Sequence, residues 1–140
     1  MTPTLTTEDR KETQKKSVLP QTLLVEDEEI SRVITRMFLK GICDVDFAEN
    51  GEVGYEMAKK KKYDIIFMDI GLGRGMNGMQ TSQKIKQLDQ YKNTPIVALT
   101  AYAMKGDREE FLSNGCSHYI SRPVDKHKLI QLVQDILSQL

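Results

Sequence analysis

Short apolar segments alternate with segments of helical period from Gln21 to the end of the chain. The apolar segments read TLLV, CDVDFA, DIIFM, PIVAL and HYI. Between them, apolar side chains recur three and four positions apart and form one stripe of a helix. This spacing is clearest in the first and last predicted helices, at Ile30, Val33, Ile34, Met37 and Phe38 and at Leu129, Leu132, Val133, Ile136 and Leu137.

Five strands that alternate with five helices predict an α/β fold, with a parallel sheet covered by helices on both faces. The uninterrupted apolar character of DIIFM and PIVAL is typical of central strands, whereas the alternation in DVDF favours an edge strand. In such doubly wound sheets, ligands bind beyond the carboxyl ends of the strands. The residues that directly follow the predicted strands are Glu26 and Asp27, Asp69, Thr100, and Arg122 with Pro123.

These strand-end residues have a coherent chemistry. Three carboxylates at one edge repel each other unless a cation neutralises them, and hard oxygen ligands suit Mg²⁺ better than zinc. A hydroxyl at Thr100 and a guanidinium at Arg122 are suited to the oxygens of a phosphoryl group. The set therefore predicts a site where one carboxylate accepts a phosphoryl group beside a metal ion. Taken alone, an acidic cluster at a helix start is more often solvated charge.

Composition restricts the class of protein and the cellular location in which such a site is expected. The chain has 140 residues and a formal net charge of zero, which argues against a nucleic-acid binder that works by phosphate neutralisation. Cys43 and Cys116 lie far apart, and no apolar run is long enough to cross a bilayer. We therefore expect reduced thiols, a cytoplasmic location and no membrane contact by this chain. Residues 1–19 are polar and without period, which predicts a flexible tail or linker before a domain at 20–140.

Five motifs carry a resemblance to a known family. They read LLVEDEEISR, YDIIFMDIGLG, NGMQ, PIVALTAYAMKGD and YISRPVD. Their order and spacing resemble a response-regulator receiver domain of two-component signalling, of the type associated with hybrid sensor kinases. The resemblance covers residues 21 to about 138 and implies a flavodoxin-like sheet of strand order 2-1-3-4-5.

The resemblance also implies a phospho-acceptor and its metal site. Asp69 corresponds to the acceptor. Mg²⁺ would be held by Glu26, Asp27 and Asp69 and by the backbone carbonyl of Gly71, with Asp27 the more direct ligand of the acidic pair. Glu28 and Glu29 are expected only to favour the positive end of the first helix.

Further residues correspond to the family's phosphoryl-binding and switch positions. Thr100 and Ala101 occupy the switch segment, and Tyr119 corresponds to the aromatic whose inward or outward rotamer reports the switch. Arg122 is expected to pair with Asp69 before phosphorylation, and Pro123 to follow a cis peptide bond.

Two departures from the family pattern lie at the predicted site. Arg122 stands where the family has lysine, and the two side chains differ in reach and geometry. The loop IGLGRGMNG carries one extra residue and has Gly73 where proline is usual. A high glycine content predicts a mobile loop.

Three function classes follow. The first is a signalling receiver, not an enzyme, that takes its phosphoryl group from a histidine kinase or a histidine phosphotransfer protein. Its output would be protein contact through the fourth helix, the fifth strand and the fifth helix. The second is a degenerate receiver in which Arg122 and the altered loop have abolished phosphotransfer. The third is a small Mg²⁺-dependent phosphatase, but Gly71 stands where such enzymes carry a second aspartate.

Overall fold

The computed structural model describes residues 19–101 and 107–139. Within them, the five strands are β1 (Gln21–Val25), β2 (Asp44–Ala48), β3 (Ile65–Asp69), β4 (Ile96–Thr100) and β5 (His118–Ser121). The α-helices are α1 (Glu29–Leu39), α2 (Gly51–Lys60), α3 (Gly78–Lys86), α4 (Asp107–Ser113) and α5 (Lys126–Ser138), and a short 3₁₀ helix spans Asp89–Tyr91. Apart from Leu19, the predicted tail lies outside the described residues.

The strands form one parallel sheet in the order β2-β1-β3-β4-β5. This order confirms the expected doubly wound flavodoxin-like fold. All residues of β3 and β4 are buried, and β2 lies at an edge, as their apolar patterns predicted. The longest helix described has 13 residues, and none of those described combines the length and apolar character that a bilayer crossing requires.

Alternate residues of the central strands pack into two cores, one on each face of the sheet. One core includes Ile66 and Met68 of β3 and is covered by α2, α3 and α4. The other includes Ile65 and Phe67 and is covered by α1 and α5, with Leu39 of α1 fully buried. Because both faces are covered, the strand ends are the sheet's accessible parts, and the polar residues that follow them meet at one edge.

Most of the apolar stripe of α1 does not face the core, although Phe38 at its end is half-buried and packs against it. Ile30, Val33, Ile34 and Met37 are exposed, with Ile30 at 72% and Met37 at 66% exposure. The residues of α1 that are buried are Thr35 and Leu39. An amphipathic helix in this fold normally turns its apolar stripe to the sheet. The spacing of the apolar residues in α1 suggests the same orientation, and the structure corrects it, because most of these residues face outward.

Candidate functional site

Strands β1 and β3 bring two buried carboxylates together at the carboxyl edge of the sheet. The two strands are paired so that Val25 lies opposite Met68, which places the next residues, Glu26 and Asp69, side by side. Glu26 is 1% exposed and Asp69 6%. The neighbouring Asp27 is exposed. One oxygen from each of the three carboxylates lies within 4.8 Å of those of the other two, so the predicted trio does converge.

The end of β5 supplies the cation of the site. The backbone N–H of Arg122 donates to the carbonyl of Thr100 at 2.7 Å, which fixes the start of the side chain at the same edge. Its guanidinium Nη2 lies 3.2 Å from Oδ1 of Asp69 and also forms an ion pair with Oε1 of Glu26. The pair with Asp69 was expected from the sequence. The pair with Glu26 was not.

Burial controls the ionisation of Glu26. Its pKa is raised to about 7, first because burial removes the carboxyl from water and second because of the hydrogen bond to Asp69, while Arg122 opposes both effects. Two carboxylates therefore share one guanidinium, and that single charge does not neutralise both. A site with this imbalance favours a second cation.

The backbone of the loop after β3 contacts the open side of the site. The N–H of Gly71 donates to Oδ1 of Asp69 at 2.9 Å, and the N–H of Gly73 donates to Oδ2 of Asp27 at 3.2 Å. Further along, the N–H of Met76 donates to Oε2 of Glu52 on α2 at 2.9 Å, which holds the pKa of that carboxyl below its usual value. Through these three hydrogen bonds, backbone N–H groups of the loop bind three carboxylates and fix its position.

Glycines are required at two points of this loop. Gly75 has a φ of +68°, a conformation that residues with a Cβ rarely adopt. A Cβ at Gly78 would come within 2.7 Å of the Cα of Ile70. The start of α3 therefore packs directly on the end of β3, which holds the loop over the cleft.

The remaining predicted residues occupy different places. Thr100 is buried at the end of β4, and Ala101 lies exposed just beyond it. The Arg122–Pro123 peptide bond is cis, as expected. Tyr119 is 41% exposed on the flank of the molecule, where its ring centroid lies 6.0 Å from that of Phe111 on α4.

Sequence reasoning missed three residues around the acids. The Oγ of Ser31 on α1 donates to Glu28 at 2.8 Å and lies 3.4 Å from Nη1 of Arg122. Nη1 of Arg32 donates to the carbonyl of Glu26 at 3.0 Å, and Glu52 holds the loop as described. Serine, arginine and glutamate are ordinary in the first turns of helices, so no local signal distinguishes these three.

The residues present fit a divalent cation. The donors are carboxylate oxygens, which Mg²⁺ prefers, and they line a cleft of about 330 Å³ together with Glu28, Gly71 and Arg122. The open side at Asp27 leaves space for water ligands, which Mg²⁺ retains in protein sites.

Comparison with known proteins points to one family. The family model described as response regulator receiver domain matches residues 22–134. The polar-differentiation response regulator DivK of Brucella anthropi is 30% identical over 116 residues, which cover 82% of this chain and 94% of that protein. The signal transduction histidine-protein kinase BarA of Escherichia coli K12 is 35% identical over 89 residues, 64% of this chain. The match spans 10% of that kinase's length.

Solved structures agree with the fold. The receiver domain of the sensor histidine kinase PA1611 from Pseudomonas aeruginosa has a TM-score of 0.79 and 28% identity, with 86% of this chain and 99% of that one covered. That structure has a magnesium ion coordinated in its active-site cleft. The chemotaxis protein CheY4 of Vibrio cholerae, at 23% identity, has a TM-score of 0.81 and covers 85% of this chain and 99% of its own; this likeness concerns the fold alone.

Proposed function

This chain belongs to the response regulator receiver family of two-component signalling, and from that premise we propose its specific reaction. Asp69 accepts a phosphoryl group from a histidine kinase or a histidine phosphotransfer protein in a reaction that depends on Mg²⁺. The phosphorylated form then signals through contacts with another protein. The observation that carries the proposal is the convergence of Glu26, Asp27 and Asp69, with Arg122 on the inner side.

The position of Asp69 supports it, rather than the other two carboxylates, as the proposed acceptor. Oδ1 of Asp69 contacts both the guanidinium of Arg122 and the N–H of Gly71, so donors are in place beside it to stabilise the charge of a phosphoryl group. Glu26 is more deeply buried, and Asp27 is exposed and bonded to Gly73. Those two residues are better placed to hold a cation.

In the transfer, a carboxylate oxygen of Asp69 attacks the phosphorus of the donor's phosphohistidine. An O–P bond forms, the P–N bond breaks with its electron pair going to nitrogen, and the departing imidazole takes up a proton from solvent water. Mg²⁺ bound by Glu26, Asp27, Asp69 and the carbonyl of Gly71 would neutralise charge on the phosphoryl oxygens. Arg122 and Thr100 would then hold the product. The protein's part is mainly positioning and charge stabilisation.

Intact-mass measurement tests the acceptor. The protein is incubated with acetyl phosphate, from which acetate leaves, with Mg²⁺ or with a chelator. We expect the mass of one phosphoryl group to be added only with Mg²⁺, and to be lost in Asp69→Asn. Asp89→Asn is a matched control because Asp89 is an exposed aspartate on the 3₁₀ helix, where it forms an ion pair with Lys92 at 3.4 Å. Persistent labelling of Asp69→Asn would show that another residue is the acceptor.

The output surface that we propose consists of α4, β5 and α5. A groove of about 580 Å³ runs along β5 and α5 and is lined by Tyr119, Ile120, Pro123 and Leu132, among others. Arg122 lines the same groove, so one side chain borders both the acceptor and this surface. Thr100 and Ala101 would link phosphorylation to the groove, with Tyr119 as the reporting aromatic.

Hydrogen exchange with and without beryllofluoride, a phosphoryl mimic, tests this surface. A ligand shifts a conformational equilibrium only through different affinities for the two states, so the surface must change its protection if it carries the signal. We expect changes within residues 101–122. Changes confined to the loop after Asp69 would contradict the proposal.

The alternative of a degenerate receiver, with Arg122 and the altered loop abolishing transfer, has no specific observation in its favour. It predicts that no donor phosphorylates the wild type, while Arg122→Lys restores phosphorylation. The mass experiment therefore also separates the two hypotheses.

A further inference from the structure

Arg122 does more than replace a family lysine as a partner of Asp69. One nitrogen, Nη2, contacts Glu26 and Asp69 at once, and Nη1 lies 3.4 Å from the hydroxyl of Ser31. Three groups on β1, β3 and α1 therefore hold one guanidinium. A planar fork with five N–H donors can make such multiple contacts, whereas a lysine ammonium is a compact point charge.

Arg122 contacts Glu26, a carboxylate that the proposed function assigns to Mg²⁺. Oε1 of Glu26 is bonded to Arg122, and Oε2 accepts a hydrogen bond from the backbone N–H of Glu28 at 3.3 Å. Both oxygens of this buried side chain thus have partners within the protein. A metal ion that Glu26 binds through Oε1, directly or through water, would lie beside the guanidinium, and the two positive charges repel each other. The backbone donor is fixed by the chain, so the mobile partner is the arginine.

We propose that Arg122 is an internal cation that competes with divalent metal for Glu26 and thereby sets the metal affinity of the site. In the metal-free protein the guanidinium bridges Glu26 and Asp69. On metal binding it leaves Glu26 and keeps its contacts with Asp69 and Ser31. This inference rests on the proposed function, since it requires the three carboxylates to bind Mg²⁺.

Charge and geometry make separable contributions to this competition. A positive charge beside the site weakens metal binding whatever its shape, because like charges repel over these distances. The bridging contact adds a second cost that only a side chain able to reach both carboxylates can impose. A lysine at 122 keeps the charge and loses the fork, and a glutamine loses both.

Titration with MgCl₂ alone, followed by backbone amide shifts in NMR spectra, tests the proposal. We expect Arg122→Lys to bind Mg²⁺ at least about threefold more tightly than wild type, and Arg122→Gln at least about tenfold more tightly. Arg36→Lys and Arg36→Gln are matched controls, because Arg36 is an exposed arginine of α1 that contacts the ring of Phe47. Both controls should bind within twofold of wild type. Equal affinities of wild type and Arg122→Lys would overturn the competition.

A second readout uses the wild type itself and does not depend on how variants fold. The side-chain N–H resonances of Arg122 should shift on saturation with Mg²⁺, while those of Arg36 stay in place. Unchanged Arg122 resonances at saturation would overturn the proposal.

A third test combines two substitutions. In a Glu26→Gln background, Arg122→Lys should no longer increase the affinity for Mg²⁺, because the carboxylate for which the arginine and the metal compete is gone. An undiminished increase in affinity would also overturn the proposal.

Failure of this inference is distinguishable from failure of the proposed function. If neither wild type nor any Arg122 variant binds Mg²⁺, the metal-dependent function is wrong and the competition falls with it. If all bind Mg²⁺ with the same affinity and Asp69 is still phosphorylated, the function stands and only the role of Arg122 is wrong.

Discussion

The two halves of the acidic site neutralise their carboxylates in different ways. The buried half consists of Glu26, Asp69 and Arg122, and its charges are met chiefly by one shared guanidinium. The exposed half consists of Asp27 and the loop 70–77, where the carboxylate accepts a hydrogen bond from the N–H of Gly73. Neighbouring acids in the sequence, Glu26 and Asp27, thus belong to different electrostatic environments.

This difference shows which half of the site opposes the ionisation of its carboxylates. Burial raises the pKa of Glu26 to about 7, so the folded protein resists full ionisation of the inner pair. Asp27 faces water and accepts a hydrogen bond from the N–H of Gly73. The inner half should therefore dominate the stability of the site, and the outer half its access to ligands.

The largest effect that we expect comes from removing the shared cation. Arg122→Met should lower the free energy of unfolding by about 3 kcal/mol in the presence of a chelator, the low end of the cost of breaking a buried ion pair. The low end applies because the side chain of Arg122 is 22% exposed and Glu26 can take up a proton. Urea unfolding followed by circular dichroism measures the change.

The exposed half supplies the control for this measurement. Asp27→Asn should change the free energy of unfolding by less than about 0.5 kcal/mol, as is usual for exposed positions. If Asp27→Asn costs as much as Arg122→Met, the two halves do not differ as described.

A smaller effect should appear in the pH dependence of stability. The pKa of Glu26 is about 7 in the folded protein and 4.5 in its reference state. Between these values the folded state keeps a proton that the unfolded state has lost, so stability falls as the pH rises and levels off above pH 7. From pH 5 to pH 8 we expect the wild type to lose about 2 kcal/mol more than Glu26→Gln. Parallel curves for the two proteins, from urea unfolding at each pH, would contradict this.

The smallest effect concerns the backbone of the exposed half. Gly75→Ala should lower the free energy of unfolding by about 1 kcal/mol, the cost of a left-handed conformation for a residue with a Cβ. It should also displace the carboxylate of Glu52, whose oxygens would lie 2.5 and 2.6 Å from the new Cβ. Gly73→Ala is the matched control, since its φ is not positive and its Cβ would be 3.4 Å from Asp27. Thermal unfolding compares the two, and equal losses would show that loop conformation is not the cause.

Much of the fold was predictable because the period of apolar residues is a local property of the sequence. Continuous apolar segments marked β3 and β4 as central, and alternation marked β2 as an edge. Asn50 begins α2 as its cap, where its side chain accepts from the N–H of Val53 at 2.8 Å. The stripe on α1 shows the limit of this reasoning, because spacing reveals which residues share a face but not which way the face turns.

The strand-end residues were predictable for a topological reason, and their pairing was not. Parallel strands end at one edge, so the order of residues along the chain already places Glu26, Asp69 and Arg122 near each other. The strand order itself came from the family resemblance, since alternation alone is compatible with several orders. Roles in phosphotransfer remain predictions that the experiments above address.

Residue order alone settles which chemical groups arrive at the site: three acids, one arginine and a glycine-rich loop. Their partners depend on distances of a few ångström between groups up to 96 residues apart, such as Arg122 and Glu26. The pairing of β1 with β3 and of β4 with β5 sets those distances, and this pairing arises from packing of the whole sheet and its helices. Ion pairs and pKa values respond steeply to such distances, which is why the arginine's second carboxylate appears only once the chain is folded.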